Sequence, residues 1–99
     1  MKVMKQPSKL PDLELVEAIF DYDPITGNLI RKQTGRVVGG NDRTTGYIKV
    51  RVGRLSTQAS RICWMLFYRE DPVGYIIEHK DGCKNNNRIE NLRKVKYRW

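Results

Sequence analysis

The strongest constraint on the fold is a change of hydrophobic period between residues 47 and 69. Tyr47-Ile48-Lys49-Val50-Arg51-Val52 alternates strictly, with Ile48, Val50 and Val52 on one face and Tyr47, Lys49 and Arg51 on the other. A period of two over six residues is the pattern of a half-buried strand. Gly53 then turns the chain into a partner strand at residues 54–58. From residue 59 to residue 69 the period lengthens. Ile62, Met65 and Leu66 fall at spacings of three and four, and Trp64, Phe67 and Tyr68 widen the stripe. That is a helix laid on a core, and its aromatic residues are read as core.

The flanking segments extend this pattern in both directions. Pro11 is placed to start a helix, with Asp12 and Glu14 favourable in its first turn and Leu13, Val16, Ile19 and Phe20 at helical spacing. The helix is acidic and is expected to face away from any polyanion. Asp21-Tyr22-Asp23-Pro24-Ile25-Thr26-Gly27 is turn chemistry. Residues 28–32 read as a short strand, so that with residues 47–52 and 54–58 an antiparallel β-meander is expected. Asp71-Pro72-Val73-Gly74 ends the second helix. Tyr75-Ile76-Ile77 is then a short strand delivering Glu78 and His79, followed by a polar loop over residues 80–91 and a last strand over residues 92–97. The expected class is α+β. In a chain of 99 residues this makes one small domain with a marginal core. Residues 1–9 are a loose N-terminus. Residues 10–99 form the domain, with the helix and meander in 10–58 and the second helix and final strands in 59–99.

Charge is placed as tellingly as the apolar residues. The chain carries 19 Lys+Arg against 11 Asp+Glu, a formal +8, with a pI near 9.8. Between residues 28 and 69, Asp42 is the only acid among Arg31, Lys32, Arg36, Arg43, Lys49, Arg51, Arg54, Arg61 and Arg69. Such a surface attracts nucleic acid. The face shared by Lys49 and Arg51 is the candidate phosphate-binding surface, joined by Arg31, Lys32, Arg54 and Arg61, with Tyr47 placed to stack on a base or pack on a sugar. An ordinary solvated face is the alternative, and charge does not separate DNA from RNA or the ribosome. The basic N-terminus has no apolar segment of an export signal after it, and the nearly apolar run at residues 62–68 is too short to span a bilayer. The expectation is a cytoplasmic protein. Cys63, Cys83 and one histidine fall short of the four ligands of a structural zinc.

That histidine, His79, follows a carboxylate, Glu78, at the end of an apolar strand, and the next loop brings Asn85, Asn86, Asn87 and Asn91. Phosphodiester hydrolysis with one metal ion uses such parts. A neutral imidazole deprotonates a water, and a carboxylate holds a divalent cation that stabilises charge on the phosphate. A side-chain carbonyl fixes the imidazole's other nitrogen. On spacing alone, a surface histidine beside an Asn-rich turn fits equally well.

The run Ile76-Ile77-Glu78-His79-Lys80-Asp81-Gly82-Cys83-Lys84-Asn85-Asn86-Asn87-Arg88-Ile89-Glu90-Asn91-Leu92-Arg93 resembles the HNH endonucleases of phages and homing elements. Phe20-Asp21-Tyr22-Asp23-Pro24 with Thr26-Gly27, Gly46-Tyr47, and the Arg61–Trp64 portion of the helix look like the same family, extending the resemblance over about residues 13–95. It implies a ββα-metal finger in which His79 is the general base, Glu78 the metal-binding carboxylate and Asn91 the residue that orients His79. Gly82 would shape the loop and Asn87 and Arg88 buttress it, while Arg61 supports the fold or touches a phosphate. The implied cation is magnesium or manganese, the partner DNA and the host a bacterium; the assembly is a monomer or homodimer. The chain departs from the family pattern in three places. Glu78 stands where the family has Asp, and Ser60 stands before Arg61 where it has His. The sequence also reaches Trp99 before the family's closing helix, which carries a second metal ligand. The expected finger is therefore partial. The function read from this is a metal-dependent HNH-type DNA endonuclease, with a weak or inactive nuclease-derived binding or regulatory protein as the alternative.

Overall fold

The computed structural model describes residues 12–38, 46–53 and 55–96. In order along the chain these form α1 (Leu13–Ile19), β1 (Phe20–Asp23), β2 (Asn28–Arg31), β3 (Lys49–Val52), β4 (Leu55–Gln58), α2 (Ala59–Tyr68), β5 (Tyr75–His79), a 3-10 turn (Ile89–Asn91) and β6 (Leu92–Lys96). The class is α+β, as the change of period required. Arg54 and the expected loose residues 1–9 lie outside the described residues. Among those described, no helix is long and apolar enough to cross a membrane.

The expected meander is not what the strands build. They form three separate two-stranded antiparallel ladders, β1 with β2, β3 with β4 and β5 with β6. β2 does not pair with β3 because both its edges are otherwise engaged. One edge takes β1, with Tyr22 opposite Leu29. The other receives the chain as it folds back, through an Ile30–Val37 bridge and a Val38 N–H donated to the Leu29 carbonyl at 2.7 Å. The segment read as a turn is thus partly a strand. Phe20 is buried and Asp21 exposed, the alternation of a strand edge, and only residues 24–27 turn. Asp23 Oδ1 accepts the Ile25 and Thr26 amides at 3.0 and 3.3 Å, an Asx turn. Those amides hold the Asp23 carboxyl below the usual carboxylate range.

α2 is the centre of the core. Every residue from Ala59 to Met65 is buried, and Phe20, Leu29, Val50, Ile77 and Leu92 close around them. Burial of the large apolar side chains among them stabilises by about 1.5–3 kcal/mol each. Val50 and Val52 are buried while Lys49 and Arg51 are exposed, so β3 presents the two faces that its alternation predicted. α2 ends on Arg69 in the left-handed conformation (φ 55°), whose N–H is donated to the Met65 carbonyl at 2.8 Å. The end is tied down on both sides. Arg69 pairs with Glu17 of α1 at 2.6 Å, and Glu70 Oε2 accepts from Trp64 Nε1 at 2.7 Å and from Lys94 of β6 at 2.9 Å. These donors, Lys94 first, hold the Glu70 carboxyl below its ordinary range.

Candidate active site

The β5–β6 hairpin sorts the two residues of the Glu-His pair. Ile77 and Leu92 are buried against α2, and consecutive strand positions point to opposite faces. Glu78 sits directly opposite Arg93 in the ladder, and its Oε1 accepts from Arg93 Nη2 at 2.7 Å. His79 follows the parity of Ile77 and turns its half-buried ring to the other side. There Nε2 meets Asn87 Oδ1 at 2.8 Å, and the Tyr47 ring lies with its centroid 5.7 Å from the imidazole.

A carbonyl oxygen accepts and does not donate, so Asn87 Oδ1 selects the tautomer with the proton on Nε2. Nδ1 then carries the lone pair and is the nitrogen able to take a proton from water. Asn87 is placed to do this firmly, being 3% exposed. The residue expected to orient His79 was Asn91. Asn91 instead holds the loop closed: its Oδ1 accepts the Asp81 amide at 3.1 Å, and its Nδ2 donates to Asp81 Oδ1 and to the Asn86 carbonyl, each at 2.9 Å. The two asparagines exchange the roles expected of them. Four asparagines within seven residues look alike in sequence; only the path of the loop decides which one meets the ring.

The rest of the loop is organised around Asp81. Its Oδ1 accepts the Cys83 amide at 2.7 Å and its Oδ2 accepts Asn86 Nδ2 at 2.9 Å. These bonds, the Cys83 amide foremost, hold the Asp81 carboxyl below the usual range. Gly82 has φ +76°, which permits the turn that returns its N–H to the His79 carbonyl at 3.0 Å. Arg88 is exposed, and its backbone, with that of Asn87, lies against Gly27.

Glu78 and His79 therefore turn to opposite faces, and the described residues do not gather a metal site around them. Arg93 holds Glu78 Oε1 and the loop's own amides hold both oxygens of Asp81. Among the described residues, no group of three His, Cys, Asp or Glu side chains gathers to hold an ion. Cys63 is buried, which pushes its thiol well above the ordinary value, and Cys83 is exposed.

The predicted basic surface divides. Arg31, Arg36, Lys49 and Arg51 line one groove of about 350 Å³ with Thr34 and Val38, and Arg31 Nη2 donates to the Arg51 carbonyl at 3.0 Å. Three expected members lie elsewhere. Lys32 turns to the acidic side, donating to the Glu17 carbonyl at 2.7 Å with Asp21 3.8 Å away. Arg61, expected either to support the fold or to touch a phosphate, is 7% exposed and donates to the Tyr75 carbonyl at 3.0 Å. Its place is in the fold, because a guanidinium sealed beneath the surface cannot reach a DNA backbone; burial also lowers its pKa. Tyr47 falls before β3 and joins the His79 site, where the Lys84 ammonium lies 5.0 Å from its ring centroid. Lys84 was not singled out in the sequence, where it was one lysine of a polar loop.

Residues 57–98 match the family model described as HNH endonuclease. The resemblance to HNH endonucleases holds. A solved structure titled "DNA binding and cleavage by the HNH homing endonuclease I-HmuI" superposes with a TM-score of 0.61 at 27% identity, covering 94% of this chain and 53% of that one. This chain thus spans about half the length of that HNH enzyme. A search of curated proteins gives no match.

Proposed function

We propose that this chain is an HNH-type DNA endonuclease of the phage or mobile-element kind, nicking or cleaving by phosphodiester hydrolysis with His79 Nδ1 as general base. The observation that carries the reading is the His79–Asn87 bond at 2.8 Å, within a segment that matches the HNH family model. An imidazole fixed in one tautomer by a buried amide is prepared for proton transfer, a contribution of about 10²–10⁴ in rate. The similar solved structure is that of a homing endonuclease that binds and cleaves DNA, and the groove of Arg31, Arg36, Lys49 and Arg51 supplies cations for a phosphate backbone. Lys84, beside Tyr47 and His79, adds a cation close to the base. The family reading brings magnesium or manganese, toward which Glu78 offers a carboxylate whose Oε1 is already paired with Arg93.

That ion pair is also the observation favouring the second reading, a nuclease-derived protein that binds nucleic acid without turning it over. Plasmid nicking across a range of magnesium and manganese concentrations separates the two. The wild type is expected to relax supercoiled plasmid, and His79→Ala to abolish relaxation while retaining DNA affinity. A wild type that binds with a steep salt dependence yet never nicks overturns the enzyme reading.

A further inference from the structure

We propose that the β1–β2 hairpin is a positioning clamp for His79, acting through the backbone of Asn87. This rests on the assignment of His79 as the reacting base and adds residues 52 to 57 positions away in sequence that prepare it.

Three contacts from the hairpin converge on the segment around Asn87. The Tyr22 hydroxyl donates to the Asn87 carbonyl. The Ile89 N–H is donated to the Pro24 carbonyl at 3.2 Å. Between them, Gly27 presents bare backbone: a Cβ placed there would lie 2.6 Å from Arg88 N and 2.8 Å from Asn87 C. Gly27 also sits at φ +82°, so a side chain is excluded by conformation as well as by space. The hairpin thus fixes where the Asn87 backbone runs, and its side chain is left to meet His79 Nε2.

Each contact is made to backbone, and none touches His79 or the groove. The half-buried Tyr22 hydroxyl needs an acceptor, and the one it meets is the carbonyl of the residue that holds the His79 ring. A hydrogen bond is steep in distance and angle, so a shift of the Asn87 backbone by a fraction of an ångström loosens the bond that sets the tautomer. Displacements of about 1 Å near a reacting group cost on the order of 100-fold in rate. Tyr22 is half-buried, which keeps its hydroxyl protonated and donating far above neutral pH.

His79 is the chain's single histidine, so its ring resonances are unambiguous in nitrogen-15 NMR. In the wild type at neutral pH the Nε2–H proton is expected to be visible, protected from exchange by Asn87. Tyr22→Phe keeps the ring and removes only the donor. It is expected to broaden that proton by exchange and shift the imidazole nitrogens, and to lower kcat by ~10-fold or more with KM within about twofold. Gly27→Ala is expected to do the same more severely; should it fail to fold, Tyr22→Phe decides alone. Folded Tyr22→Phe with unchanged ring nitrogens, Nε2–H exchange and kcat overturns the clamp. The NMR result stands whether or not the protein nicks DNA, so failure of the clamp and failure of the enzyme reading are distinguishable.

Discussion

The loop over residues 80–91 and the groove between β2 and β3 are both polar, yet they use polarity in opposite ways. In the loop, Asp81, Asn86, Asn87 and Asn91 bond to one another, to backbone or to His79. Those side chains build a shape and hold one ring within it. In the groove, Arg36, Lys49 and Arg51 stand exposed and gather positive charge along one wall. The first region gains from internal hydrogen bonds and is sensitive to the loss of any; the second gains from net charge and is sensitive chiefly to how many cations remain. Deleting an asparagine should therefore be felt as stability, and deleting a lysine as affinity.

The sharpest break of that contrast is Asn91→Ala. It removes three hydrogen bonds made by a buried side chain to the loop around it. A net bond contributes about 0.5–1.5 kcal/mol, while the partners, exposed Asp81 and half-buried Asn86, can turn to water. The expected loss is ~2–4 kcal/mol in urea unfolding, with the m-value unchanged. A loss below about 0.5 kcal/mol, the range of an ordinary surface change, would place the loop's stability elsewhere.

Replacing Lys49 and Arg51 together by Ala is expected to act the other way. Each phosphate contact removed flattens the slope of log K against log salt by about 0.9 for duplex DNA, so the pair should flatten it by roughly 1.8 across all sequences. Unfolding should move by no more than about 0.5 kcal/mol per site. An unchanged slope would make the groove an ordinary solvated surface.

How far each region was legible in sequence follows from the same difference. The groove was partly visible because Lys49 and Arg51 lie on an alternating strand, where local period fixes the face. Lys32 was misplaced and Arg61 left between fold and phosphate because neither charge nor chain neighbours reveal that Lys32 meets Glu17 and Arg61 meets Tyr75. α1, α2 and the β5–β6 strands were read from period and motif to within a residue or two. The pairing of β1 with β2 was hidden because two aspartates and a proline at residues 21–24 make strand and turn chemistry look alike. The motif located His79 but not its partner. Tyr22 was a further miss, with only its spacing of two from the buried Phe20 as a signal that it points inward.

Acid should separate the regions more gently than mutation. The folded pKa of Asp81 lies below its unfolded value of about 3.9. Its contribution is therefore fully present above the unfolded value and is lost as pH falls through the depressed folded one. Between pH 5 and 8 the loop should show no dependence on this group; below about pH 4 the Asn86 and Asn91 side-chain amide signals should move together. Asp81→Asn is expected to remove that acid transition. Its survival in the variant would assign it to another carboxylate, Glu70 being the next candidate, since Trp64 and Lys94 hold it in the charged form.

The smallest expected effect on stability falls where the two faces of the hairpin meet. Glu78 and Arg93 are 43% and 59% exposed, and an exposed pair contributes about 0–1 kcal/mol. Arg93→Ala should thus scarcely change unfolding. What it does change is the availability of Glu78 Oε1. If Arg93 competes with a cation for that carboxylate, manganese should broaden the Glu78 and His79 resonances at lower concentration in Arg93→Ala than in the wild type, and Glu78→Gln should abolish the broadening in either background. Equal broadening in all of them would place the cation away from Glu78. The hairpin would then serve to present His79, with the carboxylate on its opposite face kept for the ion pair alone.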